Sequence, residues 1–297
     1  MSKLDKISIF ISFLALWINS FFNAQIQLYI GFVIIFLVGI LHGSNDVLLL
    51  NKTYGTNFIS NKRVIFYYIL TVLFGVFLFN FLPSLALLLF IVVSSYHFGE
   101  QHWQFKESKK SIALMPFFQI IYGFSILMLL FQSHEIEVKN IVLTITGHSI
   151  MAFNFNFILF GTLLSLILIG FALYLKLHAF KKKILINVFY LLVFTLIFKT
   201  SNLIWAFAIY FVIWHSLPSI RDQISFIYSD INLNTTIRYL STALPFWIVS
   251  LIGILILYLF LNDKTIFESL FFSLLAAITF PHVFIIIKMF RIKQKTE

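Results

Sequence analysis

Apolar runs of about 18 residues or more, with few or no charges, recur along this chain from end to end. Each is long enough to cross a hydrocarbon layer of roughly 30 Å as a helix. Ten such segments can be drawn, at 7–22, 28–50, 64–82, 84–105, 112–132, 152–177, 184–199, 202–220, 239–261 and 266–290. No polar stretch is long enough to form a separate soluble domain, and the longest connections lie around Asn51 to Arg63 and Ser219 to Arg238. The pattern predicts an all-α, polytopic helical membrane protein, with residues 1–297 forming one integral membrane domain of about ten transmembrane helices.

The basic residues orient these segments. With the N-terminus inside, every one of the 21 Lys and Arg residues except Lys139, Lys199 and Lys264 falls on the cytoplasmic side. Inserting or deleting one helix would carry the later basic clusters to the wrong face, so the asymmetry supports the count as well as the orientation. Both termini are expected to be cytoplasmic, in a multi-pass protein of the cell (inner) membrane. The stretch Met1 to Phe22 begins with Lys3 and Lys6, but no small-residue cleavage site follows it, and it reads as a retained first helix. Gln132 to Met151, with Glu135, Glu137 and Lys139, reads as an external loop carrying an interfacial helix.

Composition narrows the chemistry. Hydrophobic residues make up 61% and charged residues 11% of the chain, against about 45–50% and about 25% in soluble domains. The net charge of +10 does not point to nucleic acid, because Lys and Arg sit in short runs at helix ends rather than on one basic face. There is no cysteine, so any metal must take nitrogen or oxygen ligands. The 39 Phe residues read mainly as lipid-facing filler, and 11 glycines are too few for a bundle assembled mainly through small-residue contacts.

Ionisable groups inside membrane spans are costly and mark sites, which singles out the histidines. Of the eight, His134 and His148 fall in the external segment and His178 lies beside Lys181 to Lys183, all three at solvated or interfacial positions. His42, His97, His102, His215 and His282 lie in even-numbered segments, which all run from outside to inside. His42, His97, His215 and His282 precede the inner boundaries at Asn51, Lys106, Arg221 and Lys288 by about 6–9 residues, hence by roughly 9–14 Å. Four imidazoles from four helices at one depth can converge on one metal, and imidazole suits iron, copper and zinc. His102 stands roughly 140° round the helix from His97 and is expected to be interfacial. Taken singly, each histidine could equally be a hydrogen-bonded membrane residue.

Carboxylates accompany these imidazoles. Asp46 shares a helix face with His42, and Glu100 shares one with His97. Either can accept from a metal-bound imidazole, on its own helix or on a neighbour. Gln101 and Gln104 continue the polar face of His97 and Glu100, while Ser219 and Asp222 follow His215. Pro218 and Pro281 adjoin His215 and His282 and can bend their helices.

The segments Leu41 to Asp46 (LHGSND), Ser95 to Trp103 (SYHFGEQHW), Trp214 to Ile224 (WHSLPSIRDQI) and Thr279 to His282 (TFPH) together resemble the Brp/Blh-type β-carotene dioxygenases, which supply retinal to microbial rhodopsins. The resemblance runs from the second segment to the tenth. It implies central cleavage of β-carotene by O2 at a histidine-held Fe(II), giving two all-trans-retinal molecules. It makes His42, His97 and His215 iron ligands; the supporting roles of Asp46 and Glu100 rest on their spacing from His42 and His97. Some members of the family place a further ligand histidine one turn after the third; here that position is Ser219, and His282 is the candidate to complete the set.

Two other classes compete. Membrane di-iron hydroxylases and desaturases need clustered HxxxH and HxxHH boxes, which are absent here. A membrane transporter, or a haem-binding electron-transfer protein with axial histidines, would also carry intramembrane imidazoles.

Overall fold

A computed structural model describes residues 1, 3–54, 62–104, 113–260 and 264–296. Thirteen helices follow one another among these residues, and no strand occurs among them: α1 (Lys3–Asn19), α2 (Ala24–Ile34), α3 (Asp46–Tyr54), α4 (Lys62–Phe81), α5 (Pro83–His102), α6 (Leu114–Ser133), α7 (Glu135–Thr146), α8 (Phe155–Lys176), α9 (His178–Thr200), α10 (Leu203–Ala208), α11 (Leu217–Tyr228), α12 (Leu233–Phe260) and α13 (Lys264–Thr296). Two of the joins are irregular rather than open. A π turn (Ile35–Gly39) and a 3-10 turn (Leu41–Gly43) link α2 to α3, and a π stretch (Ile209–Ser216) links α10 to α11.

Among the described residues, each of the ten apolar segments falls mainly on helix. Eight helical spans among the described residues are long and apolar enough to cross a membrane, and Phe66–Phe81 forms a shorter apolar helix. One expected connection is largely helical: Ser219 to Tyr228 lies in α11, because Ser219 and Gln223 bury their polar groups against protein partners instead of meeting water. The segment after Gln132 contains α7, with Lys139 and Glu135 paired at 2.6 Å across one turn. The expected connection at 55–61 and the boundary at Lys106 lie outside the described residues.

Helix starts follow their side chains. Asn23, Asn154 and Asn202 each accept a hydrogen bond from a backbone N–H three residues on, at 2.9, 3.1 and 2.9 Å, which satisfies an amide that a helical first turn leaves open.

The chain divides into two compact units, one of residues 1–35, 91–139 and 151–215, the other of residues 36–90, 140–150 and 216–297. The first holds a dense aromatic core in which Trp103 stacks on Phe180 at 4.6 Å and meets the edge of Phe118 at 4.9 Å. In the second, Leu49 and Leu50 of α3 pack with Ile285, Ile286, Met289 and Phe290 of α13.

Glycine plays a larger part than its scarcity suggests. In the first unit, a Cβ on Gly99 of α5 would strike the backbone carbonyl of Gln119 on α6, and a Cβ on Gly123 of α6 would strike that of Ser95. The two backbones touch because both residues lack a side chain, as in small-residue membrane contacts. A few glycines at the right turn therefore suffice where a count predicts little.

This contact gives opposite signs for one substitution. Gly99→Ala and Gly123→Ala force the backbones apart and should each destabilise the protein by on the order of 1–3 kcal/mol. At Gly161 and Gly253, where an added Cβ meets nothing within 4 Å, alanine should be neutral or stabilise by about 0.5–1 kcal/mol. Thermal unfolding of the four variants in detergent would separate the pairs, and equal shifts in all four would contradict the contact.

Candidate metal centre

In the unit that contains residues 36–90 and 216–297, His42 lies buried in the 3-10 turn and His282 buried in α13. Their rings meet edge to face, with centroids 4.8 Å apart and planes at 89°. The Nδ1 of His42 bonds to the carbonyl of Gly39. A carbonyl can only accept, so Nδ1 carries the proton and Nε2 the lone pair.

His282 Nδ1 lies 2.7 Å from Asp46 Oδ1, and the Tyr68 hydroxyl donates to Asp46 Oδ2 at 3.2 Å. Asp46 thus serves a histidine of another helix rather than His42. The reason is local: between His42 and Asp46 the chain leaves the 3-10 turn and begins a new helix, so the four-residue spacing no longer sets both on one face.

The irregular turn is held open by side chains. The His42 carbonyl accepts from Gln223 Nε2 at 2.8 Å, and the Leu37 carbonyl accepts from Trp247 Nε1 at 3.0 Å. Gln223 also reaches the Ser219 hydroxyl at 3.1 Å and accepts from the Tyr239 hydroxyl at 2.7 Å. Ser219, at the position where the resemblance places a histidine in some members, braces the residue that holds His42.

In the other unit, His97 of α5 and His215 of the π stretch form a second edge-to-face pair, at 4.7 Å and 81°. Phe98 and Phe211 flank the His215 ring at 4.8 and 5.5 Å. Gln101 Oε1 lies 2.5 Å from His215 Nδ1. Glu100 is buried and accepts from the Tyr96 hydroxyl at 3.0 Å, so this contact is to a tyrosine one turn back.

The remaining histidines fall elsewhere. His102 packs among Tyr122, Tyr190 and Phe194 at 5.5–6.1 Å. His148 and His178 are exposed, as expected, whereas the His134 side chain is only 9% exposed and lies 3.5 Å from Glu137. Burial holds the His134 imidazole below its ordinary pKa, with Glu137 opposing. Asp222 lies 3.4 Å from Lys293, a half-exposed boundary pair.

The structure therefore brings together His42 with His282 and Asp46, and His97 with His215. In three of these four imidazoles Nδ1 faces an oxygen, which points the tautomer toward a lone pair on Nε2, the form that ligates a divalent metal. Among the described residues, no group of three or more His, Cys, Asp or Glu side chains forms a metal cage. The donor chemistry fits a borderline cation such as Fe(II), with nitrogen ligands and no thiolate.

Sequence reasoning missed the π and 3-10 turns. The signals were Pro218, which cannot offer an N–H to the carbonyl four residues back, and the glycines at 39 and 43 around His42.

These features define a class: a helical membrane protein whose buried chemistry is imidazole supported by oxygen acceptors. The sequence pattern of the β-carotene 15,15′-dioxygenase family matches residues 33–290, and the chain belongs to that family. It is an enzyme of carotenoid cleavage, and the match covers all four paired histidines. No curated protein and no solved structure matches the chain.

The Asp46 contact yields a graded outcome. If His282 ligates Fe(II), Asp46→Asn should lower Fe(II) affinity by about 10–100-fold, because a neutral acceptor supports His282 less well, while Asp222→Asn at the half-exposed pair should leave it unchanged. Competition with a chelator would measure both. Equal affinity in Asp46→Asn and the parent protein would contradict a supporting role for the carboxylate.

Proposed function

We propose that this enzyme uses Fe(II) and O2 to cleave the central double bond of β-carotene, giving two molecules of all-trans-retinal, and that His42, His97, His215 and His282 ligate a single iron. The observation that carries this reading is the pairing of four buried imidazoles, two by two, with oxygen acceptors on Nδ1 of three. The family match supports the substrate and the dioxygenase activity. Fe(II) bound there would supply the redox-active, open coordination that binds and activates O2.

The chain's own residues do the rest. The Asp46 carboxylate orients His282 and raises its basicity. Gln223 holds the turn that carries His42, and Gln101 holds His215. Phe98 and Phe211 exclude water from the His215 side of the site. Cleavage breaks the central C=C and places one oxygen atom of O2 on each new aldehyde, so the alkene supplies all the electrons and no external reductant or proton is consumed.

β-Carotene has no polar handle and dissolves in the bilayer, so it is taken laterally from lipid. The reading includes ten crossings with both termini cytoplasmic, in one integral membrane domain of the cell membrane. Retinal is the chromophore of microbial rhodopsins, which makes such a protein the expected consumer.

Expression in cells that accumulate β-carotene tests the reading. Their orange colour should fade, with up to two molecules of retinal, or of retinol after cellular reduction, per carotenoid lost. Anaerobic growth, iron chelation, His97→Ala or His282→Ala should stop the loss while the protein still inserts. Persistent β-carotene alongside inserted, iron-loaded protein would overturn the proposal.

A further inference from the structure

Gln101 lies one turn beyond His97 on α5, and both ends of its amide reach a single residue on another element. Its Nε2 donates to the backbone carbonyl of His215 at 2.9 Å, and its Oε1 lies 2.5 Å from Nδ1 of the same residue. The carbonyl can only accept, which fixes the NH2 end of the amide toward the backbone and turns the oxygen toward the ring. The amide oxygen can also only accept, so Nδ1 bears the proton and the lone pair lies on Nε2. One side chain therefore determines the tautomer of His215 through two bonds that each allow a single assignment.

This clamp answers a local need. His215 belongs to the π stretch, where the backbone departs from the regular ladder and the ring direction is not set by helix geometry. In water the Nε2–H form of a histidine side chain is the more populated, so holding the opposite proton position requires a dedicated acceptor. His42 obtains one from the Gly39 carbonyl and His282 from the Asp46 carboxylate. At His215 the acceptor is an uncharged amide, which avoids a further carboxylate beside buried Glu100.

We infer that Gln101 is a positioning residue that locks His215 in the Nδ1–H tautomer and so presents Nε2 as a metal ligand. The last clause rests on the iron reading above; the tautomer lock does not. Gln101→Leu removes both bonds at nearly constant volume, and Gln101→Glu keeps an acceptor for Nδ1.

The test reads the imidazole directly. Metal-free protein labelled with 15N-histidine is reconstituted in lipid, and His215 is assigned by the signals lost in His215→Asn. Its ring nitrogens should show a protonated Nδ1 and an unprotonated Nε2 in the parent protein and in Gln101→Glu. In Gln101→Leu the proton should move toward Nε2. In chelator competition, Fe(II) affinity should fall about 10–100-fold in Gln101→Leu and less in Gln101→Glu.

A parent protein with His215 protonated on Nε2, or a Gln101→Leu protein with an unchanged tautomer, would overturn the inference. A tautomer that responds to Gln101→Leu in a protein that takes up no iron would support the lock and overturn the iron reading instead.

Discussion

A polar atom in hydrocarbon has no water to turn to, so each buried donor and acceptor must be answered by the protein itself. Nearly every feature of the two histidine pairs follows from that constraint. The irregular turn around His42 releases carbonyls from the helical ladder, and Trp247 and Gln223 bond two of them. Three of the four imidazoles, those of His42, His215 and His282, in turn engage Gly39, Gln101 and Asp46. Each such bond fixes a proton, and fixing Nδ1–H is what leaves a lone pair on Nε2. The bonding that satisfies these buried side chains is thus the bonding that leaves Nε2 as the proposed ligand atom.

Departures from regular helix supply the rest of the geometry. The π stretch at Ile209–Ser216 and the paired turns at Ile35–Gly39 and Leu41–Gly43 bear His215 and His42, while His97 and His282 stand on the α-helices α5 and α13. Each pair thus joins one imidazole on an irregular turn to one carried by an α-helix. The close approach at Gly99 lets α5 press its backbone onto α6 two residues beyond His97. Tight packing of this kind holds a ring in place without any bond to it.

Much of this was legible in the sequence. Apolar run lengths marked the eight helical spans that are long and apolar enough to cross a membrane, because the thickness of hydrocarbon sets the length of an element that crosses it. The four histidines stood out because ionisable side chains are rare within apolar segments of that length. Their partners were not legible: which helices neighbour one another is decided by packing between residues far apart in the chain, so the pairing of His42 with His282 and of His97 with His215 could not be read from spacing. Asp46 was expected to share a helix face with His42 and to serve either that imidazole or one on a neighbouring helix; it lies on His282, and hydrophobic periodicity does not register the break in helical phase at Leu41–Gly43. Gln101 appeared only as part of a polar face. Its two hydrogen bonds to His215 depend on a residue carried by a π stretch that no composition rule announces.

The central claim is that four imidazoles hold one iron. X-ray absorption at the iron edge of purified, Fe(II)-loaded protein examines it most directly, because imidazole rings leave a distinctive outer-shell scattering pattern. The account predicts one iron per chain, a shell of light nitrogen and oxygen donors, and outer-shell scattering from about four imidazoles. Iron bound with carboxylates alone, two irons within one chain, or iron held in haem would contradict it.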